Sequence, residues 1–116
     1  MNKMKTANLI LILIGVLFFV CGICCGQVEV MHFNSEWNKS NDYDVSNLKD
    51  CKTQNVIICH EPKLKEKYKI VSVPTIIIFD EGFEVVRFVA NIMMQLEIKD
   101  KEVQKEIDKI YLKKFE

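Results

Sequence analysis

The second part of this chain alternates short apolar segments with turn residues, a pattern typical of strands. Residues 28–33 (VEVMHF) and 75–79 (TIIIF) combine β-branched and aromatic side chains, and each segment predicts a strand. Residues 83–89 predict another strand, which follows a short turn at residues 80–82 as the second arm of a hairpin. Gly82 supplies the left-handed residue that such a tight turn needs.

The remaining elements are one further strand and three helices. Residues 56–59 (VIIC) are apolar throughout, which predicts a central strand covered on both faces. Residues 38–48 are polar and suited to a helix N-terminus, so we expect only a short helix there. Residues 63–69 predict one or two charged helical turns opened by Pro62. Residues 100–115 predict the last helix, because their apolar side chains recur on one face.

The predicted element order is β-α-β-α-β-β-α, which indicates an α/β fold with a mixed four-stranded sheet flanked by helices. The first two strands are joined through a crossover and should be parallel, whereas the last two should form an antiparallel hairpin. Residues 27–116 are enough for such a fold, since a single core usually needs staples only below about 70–80 residues.

Residues 1–26 are predicted to be a signal peptide or a membrane anchor, a hydrophobic helix that precedes the domain at residues 27–116. Lys3 and Lys5 lead into residues 9–26, which contain no charged side chain. A basic flank, an apolar centre and small residues at the end are typical of a secretory signal. The same segment is close to the length of about 20 residues that spans a bilayer, and a lipid on one of its cysteines is a third alternative. In each case the N-terminus stays inside and the domain is predicted to be extracytoplasmic.

Composition excludes several function classes. Without Lys3 and Lys5 the domain holds 14 basic against 16 acidic residues, so we expect no nucleic-acid partner. The histidines and cysteines lack the close spacing of zinc sites, and we expect no metal and no cofactor. Beyond residue 26 the cysteines are Cys51 and Cys59, which we expect to be unpaired unless a tight turn brings them together.

Two stretches of the sequence resemble thioredoxins. Residues 67–82 (KYKIVSVPTIIIFDEG) are similar to the thioredoxin pattern K-Y-x-I-x-x-x-P-T-x-x-x-F-x-x-G. Residues 33–37 (FNSEW) are similar to the F-W-A-E-W that precedes the thioredoxin active site. The resemblance covers roughly residues 28–89 and lacks the first strand and helix of full-length thioredoxins. It implies a thioredoxin-like fold with a cis peptide bond before Pro74, where the loop takes an extended segment of a partner protein.

The resemblance also implies that dithiol chemistry has been lost. The thioredoxin motif C-G-P-C falls on Asn38, Lys39, Ser40 and Asn41, and no amide or hydroxyl group can replace the attacking thiolate. The buried acid of the family falls on His32, which we expect to be a packed or hydrogen-bonded histidine. The prediction is therefore a redox-inactive thioredoxin-like domain with no catalytic residue at this site.

Three functions remain open at this point. The first is a binding module in which Trp37, Val73, Pro74 and Thr75 flank a groove for an extended protein or peptide segment. The second is a thiol-disulfide redox protein that uses a single cysteine such as Cys59, with a pKa lowered by a protonated neighbouring histidine. In the third, the N-terminal segment is the working part of a membrane assembly, and the domain is an accessory to it.

Overall fold

The computed structural model of this protein describes residues 28–115, which form a mixed sheet with helices on both faces. Its strands are β1 (Val28–Asn34), β2 (Cys51–Ile57), β3 (Thr75–Asp80) and β4 (Phe83–Val89), in the spatial order β2-β1-β3-β4. β1 is parallel to β2 and antiparallel to β3, and β3 is antiparallel to β4. The predicted mixed four-stranded sheet and its closing hairpin are therefore confirmed.

The predicted leader at residues 1–26 lies outside the described residues. Between residues 28 and 115, no helix combines the length and the apolar character needed to cross a bilayer.

The second strand differs from its prediction in both position and environment. β2 covers Cys51–Ile57 instead of residues 56–59, and it lies at an edge of the sheet instead of its centre. Val56 is buried, whereas the side chains of residues 52–55 are exposed. A polar edge strand has no apolar alternation, so the hydrophobic pattern detected only its carboxyl end.

The hairpin between β3 and β4 has the turn that the sequence predicts. Glu81 has a φ of 53° and Gly82 a φ of 85°, and two consecutive positive values are typical of a type I′ turn. This turn matches the right-handed twist of the flanking strands, so the pairing of β3 with β4 follows directly from it.

Two α-helices lie on opposite faces of the sheet. α1 (Pro62–Lys67) begins at a proline, and its Leu64 packs on the core. α2 (Asp100–Lys114) buries Val103, Ile107 and Ile110, which recur on one face as the sequence predicted.

The predicted helix at residues 38–48 is replaced by a shorter and tighter element. A 3-10 helix covers Glu36–Asn41, and the chain from residue 42 to residue 50 is irregular. Ser, Asn and Asp side chains bond readily to nearby backbone groups, which favours such turns over a continuing helix.

Alternate side chains of β1 and β3 build a core on each face of the sheet. The cluster on the α2 side contains Val28, Val30, Val45, Leu48, Ile76, Ile78, Val103, Ile107 and Ile110. The cluster on the α1 side contains Met31, Phe33, Val56, Ile70, Val73, Ile77 and Phe79. β1 and β3 are thus covered on both faces, and these two packed strands are a rigid scaffold that positions the loops at their ends.

Candidate functional site

The 3-10 helix and the loop before β3 meet at the side chain of Asn38. This residue is only 4% exposed, although its type favours the surface. Its Nδ2 donates to the carbonyl oxygen of Val73 at 3.3 Å and to that of Met94 at 3.2 Å. The peptide bond between Val73 and Pro74 is cis. Three segments that are distant in the sequence therefore converge on one carboxamide.

Asn38 belongs to a network that we call the asparagine cluster, formed by Asn34, Asn38 and Asn41. Asn38 Nδ2 donates to Asn34 Oδ1 at 3.2 Å, and Asn41 Nδ2 donates to Asn38 Oδ1 at 2.8 Å. Asn34 Nδ2 donates to the carbonyl oxygen of Asn38 at 3.1 Å and to the carboxylate of Asp42. The cluster satisfies buried polar groups, but a neutral amide neither attacks a disulfide nor carries a proton at ordinary pH.

The two positions between Asn38 and Asn41 face outward. Lys39 and Ser40 are both exposed, so the tetrapeptide presents an ammonium and a hydroxyl to solvent and keeps its first amide inside. Of the four positions that align with C-G-P-C, Asn38 is the one that reaches the loop of Pro74.

The four residues predicted to contact a partner differ in accessibility. The side chain of Trp37 is 64% exposed, whereas Val73, Pro74 and Thr75 are buried. The hydroxyl of Thr75 donates to the carbonyl oxygen of Ser72 at 2.7 Å, which closes the loop on itself. Trp37 can therefore contact a partner through its side chain, while the other three can only shape the loop or offer backbone groups.

Exposed apolar side chains lie on the three segments that converge on the buried carboxamide of Asn38. We call them the Trp37 surface, and its members are Trp37, Val71, Ile92, Met93 and Met94. Val71 and Ile92 are 95% and 97% exposed, so they contribute almost nothing to the core. An apolar patch of this kind is a common feature of protein-binding sites.

The part of the Trp37 surface at residues 92–94 is held by a side-chain turn. Asn91 Oδ1 accepts the backbone N–H groups of Met93 at 2.9 Å and of Gln95 at 3.1 Å. Met94 has a φ of 58°, a left-handed conformation that is uncommon for a residue with a side chain. The turn directs the carbonyl of Met94 toward Asn38, and the hydrogen bond between them fixes residues 92–94 to the asparagine cluster.

Cys59 lies beyond the end of β2, where its thiol is exposed beside the start of the 3-10 helix. A hydrogen bond from the backbone N–H of Glu36 and another from the hydroxyl of Ser35 lower the pKa of this thiol. His60 instead pairs with Glu36, with 3.0 Å between Nε2 and Oε1. The predicted depression of the pKa is present, but its cause is the Ser35–Glu36 segment and not the neighbouring histidine. Cys51 is also a free thiol.

His32 is buried and hydrogen-bonded on both ring nitrogens, as expected for a histidine in a central strand. Its Nδ1 lies 3.1 Å from Asn55 Oδ1, and its Nε2 accepts the backbone N–H of Tyr43 at 3.3 Å. Because Nε2 accepts, the neutral tautomer with the proton on Nδ1 fits both contacts. Burial lowers the pKa of His32, and the hydrogen bond to Asn55 and the charge of Asp42 oppose this only in part.

Within residues 28–115 no three His, Cys, Asp or Glu side chains are arranged to hold a metal ion. Sequence reasoning missed the roles of Asn34, Ser35 and Met94. The signal for Asn34 was its place at the end of a buried strand, directly before the aligned active-site segment. Met94 contributes a backbone carbonyl, which its residue type cannot reveal.

Neither a protein-family model nor a curated protein sequence matches this chain. Solved thioredoxin structures do match it. A mutant thioredoxin from Halobacterium salinarum is 17% identical and has a TM-score of 0.57, and the match covers 72% of this chain and 74% of that one. Thioredoxin 1 from Thermosipho africanus is 18% identical with a TM-score of 0.55, over 76% of this chain and 99% of its own. Thioredoxin-2 of the malaria parasite, described as a component of its protein secretion machinery, is 19% identical with a TM-score of 0.57, over 72% and 82%. At these identities the likeness establishes the fold and leaves the activity open.

Proposed function

We propose that this chain, which has a thioredoxin-like fold, binds an extended protein segment on the Trp37 surface and carries out no dithiol chemistry. The observation that carries this proposal is the combination found at Asn38. In the alignment with thioredoxins a buried amide falls on the position of the first active-site cysteine, and the segments that meet at this amide carry exposed apolar side chains. The exposed apolar side chains support binding of a partner, and the two amides in place of the cysteine pair support the absence of disulfide exchange.

The backbone beside Pro74 offers a partner less than the family resemblance suggests. The carbonyl oxygen of Val73 already accepts from Asn38, and that of Ser72 accepts from Thr75. A carbonyl oxygen has two lone pairs, so Val73 can still accept one bond from an added strand. We therefore assign most of the binding free energy to apolar contacts with Trp37 and its neighbours, and the orientation of the segment to the backbone.

The first prediction concerns Trp37. Replacing Trp37 by Ala should weaken binding of apolar peptides from a library of short unstructured sequences by about thirtyfold, since truncation of a central aromatic anchor costs about 2 kcal/mol. Affinities measured by fluorescence anisotropy with labelled peptides test this expectation.

Leu112→Ala is the matched control, because Leu112 is 67% exposed and lies on α2, away from Asn38. It should leave the peptide affinities unchanged. Equal losses in the two variants, or no loss in either, would remove Trp37 as the anchor and the proposal with it.

The environment of Cys59 favours a second candidate function, a redox protein that uses one thiol. The thiol is exposed, and the hydrogen bonds from Glu36 and Ser35 favour its thiolate. A thiolate can attack a disulfide of a partner to form a mixed disulfide, and an external thiol must then release it. Because this thiol lies beside Glu36, the residue before Trp37, a segment bound on the Trp37 surface would be the substrate of this reaction.

The second prediction compares the two cysteines. Iodoacetamide should alkylate Cys59 faster than Cys51 at neutral pH, because burial and the charge of Asp50 raise the pKa of Cys51. Mass spectrometry of timed, quenched samples gives both rates from one protein. Insulin reduction that disappears in Cys59→Ser and persists in Cys51→Ser would favour the redox function over pure binding.

The proposal includes export, with residues 1–26 either removed or kept as an anchor. The support is the sequence pattern of Lys3, Lys5 and the apolar residues 9–26. The intact mass of the protein isolated from its own cell distinguishes the two forms, since removal of the leader leaves a chain that begins near Gln27.

A further inference from the structure

The end of the sheet at which β1 begins brings together three parts of the fold. Val28 pairs with Asp80 of β3, and Asp80 pairs in turn with Phe83 of β4. The C-terminal end of α2 reaches the same place, where Lys114 Nζ lies 2.8 Å from Asp80 Oδ1. We call this region the β1-start end, formed by Val28, residues 80–83 and residues 113–115.

Two large aromatic side chains project from the β1-start end into solvent. Phe83 is 77% exposed and Phe115 is 87% exposed. Phe83 pairs with Asp80 across the hairpin, and Phe115 directly follows Lys114, whose ammonium contacts Asp80. Single exposed apolar residues are ordinary, but two phenylalanines on one end of a small domain form a surface that favours an apolar environment.

The sequence places the most apolar part of the chain directly before this end. Residues 9–26 contain no charged side chain, and only Gln27 separates them from Val28. Two residues of extended chain span at most about 7 Å. A membrane that contains residues 9–26 therefore lies close to the β1-start end.

We propose that the β1-start end lies against a lipid bilayer in which residues 9–26 are inserted, with Phe83 and Phe115 at the boundary of the acyl chains. This inference rests on the anchor form of the proposed function, in which residues 1–26 are kept. Side chains of this type at a bilayer surface bury apolar area among the lipids, while a neighbouring lysine such as Lys113 can extend toward the headgroups.

The charges near the β1-start end determine whether its binding to a bilayer requires anionic lipids. Lys113 and Lys114 are accompanied by Asp80 and Glu81, so the end has no net basic character. A polybasic surface would require anionic lipids, whereas this one should bind a zwitterionic phosphatidylcholine surface almost as well.

The orientation has a consequence for the site. Trp37 follows the far end of β1, and seven residues of strand span about 20 Å. A bilayer at the β1-start end therefore leaves the Trp37 surface pointing away from the membrane, where a protein segment can reach it.

Tryptophan fluorescence tests the proposal, since Trp37 is the single tryptophan of the chain. The full chain is reconstituted in phosphatidylcholine vesicles with or without lipids brominated near the headgroup, which quench nearby tryptophans. Two variants move the tryptophan to the β1-start end, Trp37→Phe with Phe83→Trp and Trp37→Phe with Phe115→Trp. Quenching in both should exceed that of native Trp37 about fivefold.

Trp37→Phe with Ile92→Trp is the matched control, because Ile92 is 97% exposed on the Trp37 surface. Equal quenching at positions 37, 83, 92 and 115 would overturn the proposal. Protection of positions 83 and 115 from aqueous acrylamide without quenching by the brominated lipids would also overturn it, and would assign this end to a second copy of the chain. Peptide affinity of the native chain in such vesicles, with Trp37 and Ile92 unchanged, is independent of either result.

Discussion

Asn38 shows how a single buried side chain can hold together segments that are distant in the sequence. Its Nδ2 lies within 3.3 Å of three acceptors, which are Asn34 Oδ1 and the carbonyl oxygens of Val73 and Met94. A buried amide with these partners holds three loops together, whereas a cysteine would offer one weak donor. The resemblance to thioredoxins placed Asn38 at the active site, but only the structure shows that its carboxamide points inward.

The buried ring of His32 should make the stability of the fold depend on pH. The neutral ring fits its two hydrogen bonds, and burial holds its pKa below the ordinary value near 6.5. The unfolded chain therefore binds a proton in a pH range where the folded one does not. The contribution of the neutral His32 ring to the free energy of unfolding should be fully present above the pKa of the unfolded chain. It should be lost as the pH is lowered through the pKa of the folded protein. The slope for one proton cannot exceed about 1.4 kcal/mol per pH unit.

Urea unfolding followed by circular dichroism between pH 7 and about pH 5 measures this slope. His32→Gln should have lower stability at neutral pH and a weaker dependence on pH. His60→Gln is the comparison variant, because His60 is the other histidine of the chain and is exposed. An unchanged slope in His32→Gln would assign the acid sensitivity to other groups.

The strands and helices were predictable where apolar side chains mark them in the sequence. β1, β3, β4 and α2 have apolar side chains at the spacing of their own element, and the sequence placed each within a residue or two. β2 was mislocated because residues 52–55 are polar and exposed at the sheet edge, where pairing with β1 determines the structure. The 3-10 helix was missed for a similar reason, since its bonds to distant loops leave no periodic pattern.

The turn between β3 and β4 can be tested by substitutions that change its backbone preference. Gly82→Ala should destabilise the fold by about 1 kcal/mol, because a φ of 85° is strained for any residue with a Cβ. No atom lies within 4 Å of the added Cβ, so the loss would reflect the backbone alone. Glu81→Gly is the matched control in the same turn, and it should be neutral or slightly stabilising since Glu81 also has a positive φ. Chemical denaturation measures both, and a larger loss for Glu81→Gly would contradict the type I′ explanation.

The molecule as a whole has two distinct ends, separated by the length of β1. The Trp37 surface and Cys59 lie where β1 ends, and Phe83 and Phe115 lie where it begins. This polarity arises from the strand order, because β4 runs parallel to β1 and brings the chain back to the site before residues 91–95. Fold and polarity follow from strands that the sequence largely predicts, while the contents of the site depend on contacts between loops.

Cysteines at positions 38 and 41 would restore the two sulfur atoms of the thioredoxin motif. The side chains of Asn38 and Asn41 already meet, with 2.8 Å between Oδ1 and Nδ2, so cysteines at both positions should lie within reach of a disulfide. Asn38→Cys combined with Asn41→Cys should therefore form this disulfide and reduce insulin in the presence of dithiothreitol, which the natural chain should not do at a comparable rate. Turnover should stay below that of ordinary thioredoxins, because the neutral ring of His32 stands where that family has a buried acid.

Asn38→Ser combined with Asn41→Ser is the matched control, since it changes the same two amides and introduces no sulfur. Both double variants lose the hydrogen bonds of Asn38 to Val73 and Met94, so a comparable loss of stability in the two is expected. Activity confined to the cysteine variant would show that the scaffold still supports the exchange reaction. A disulfide that forms without any turnover would mean that the loops at residues 71–74 and 91–95 have themselves become unsuited to it, and that binding without chemistry is a property of the whole molecule.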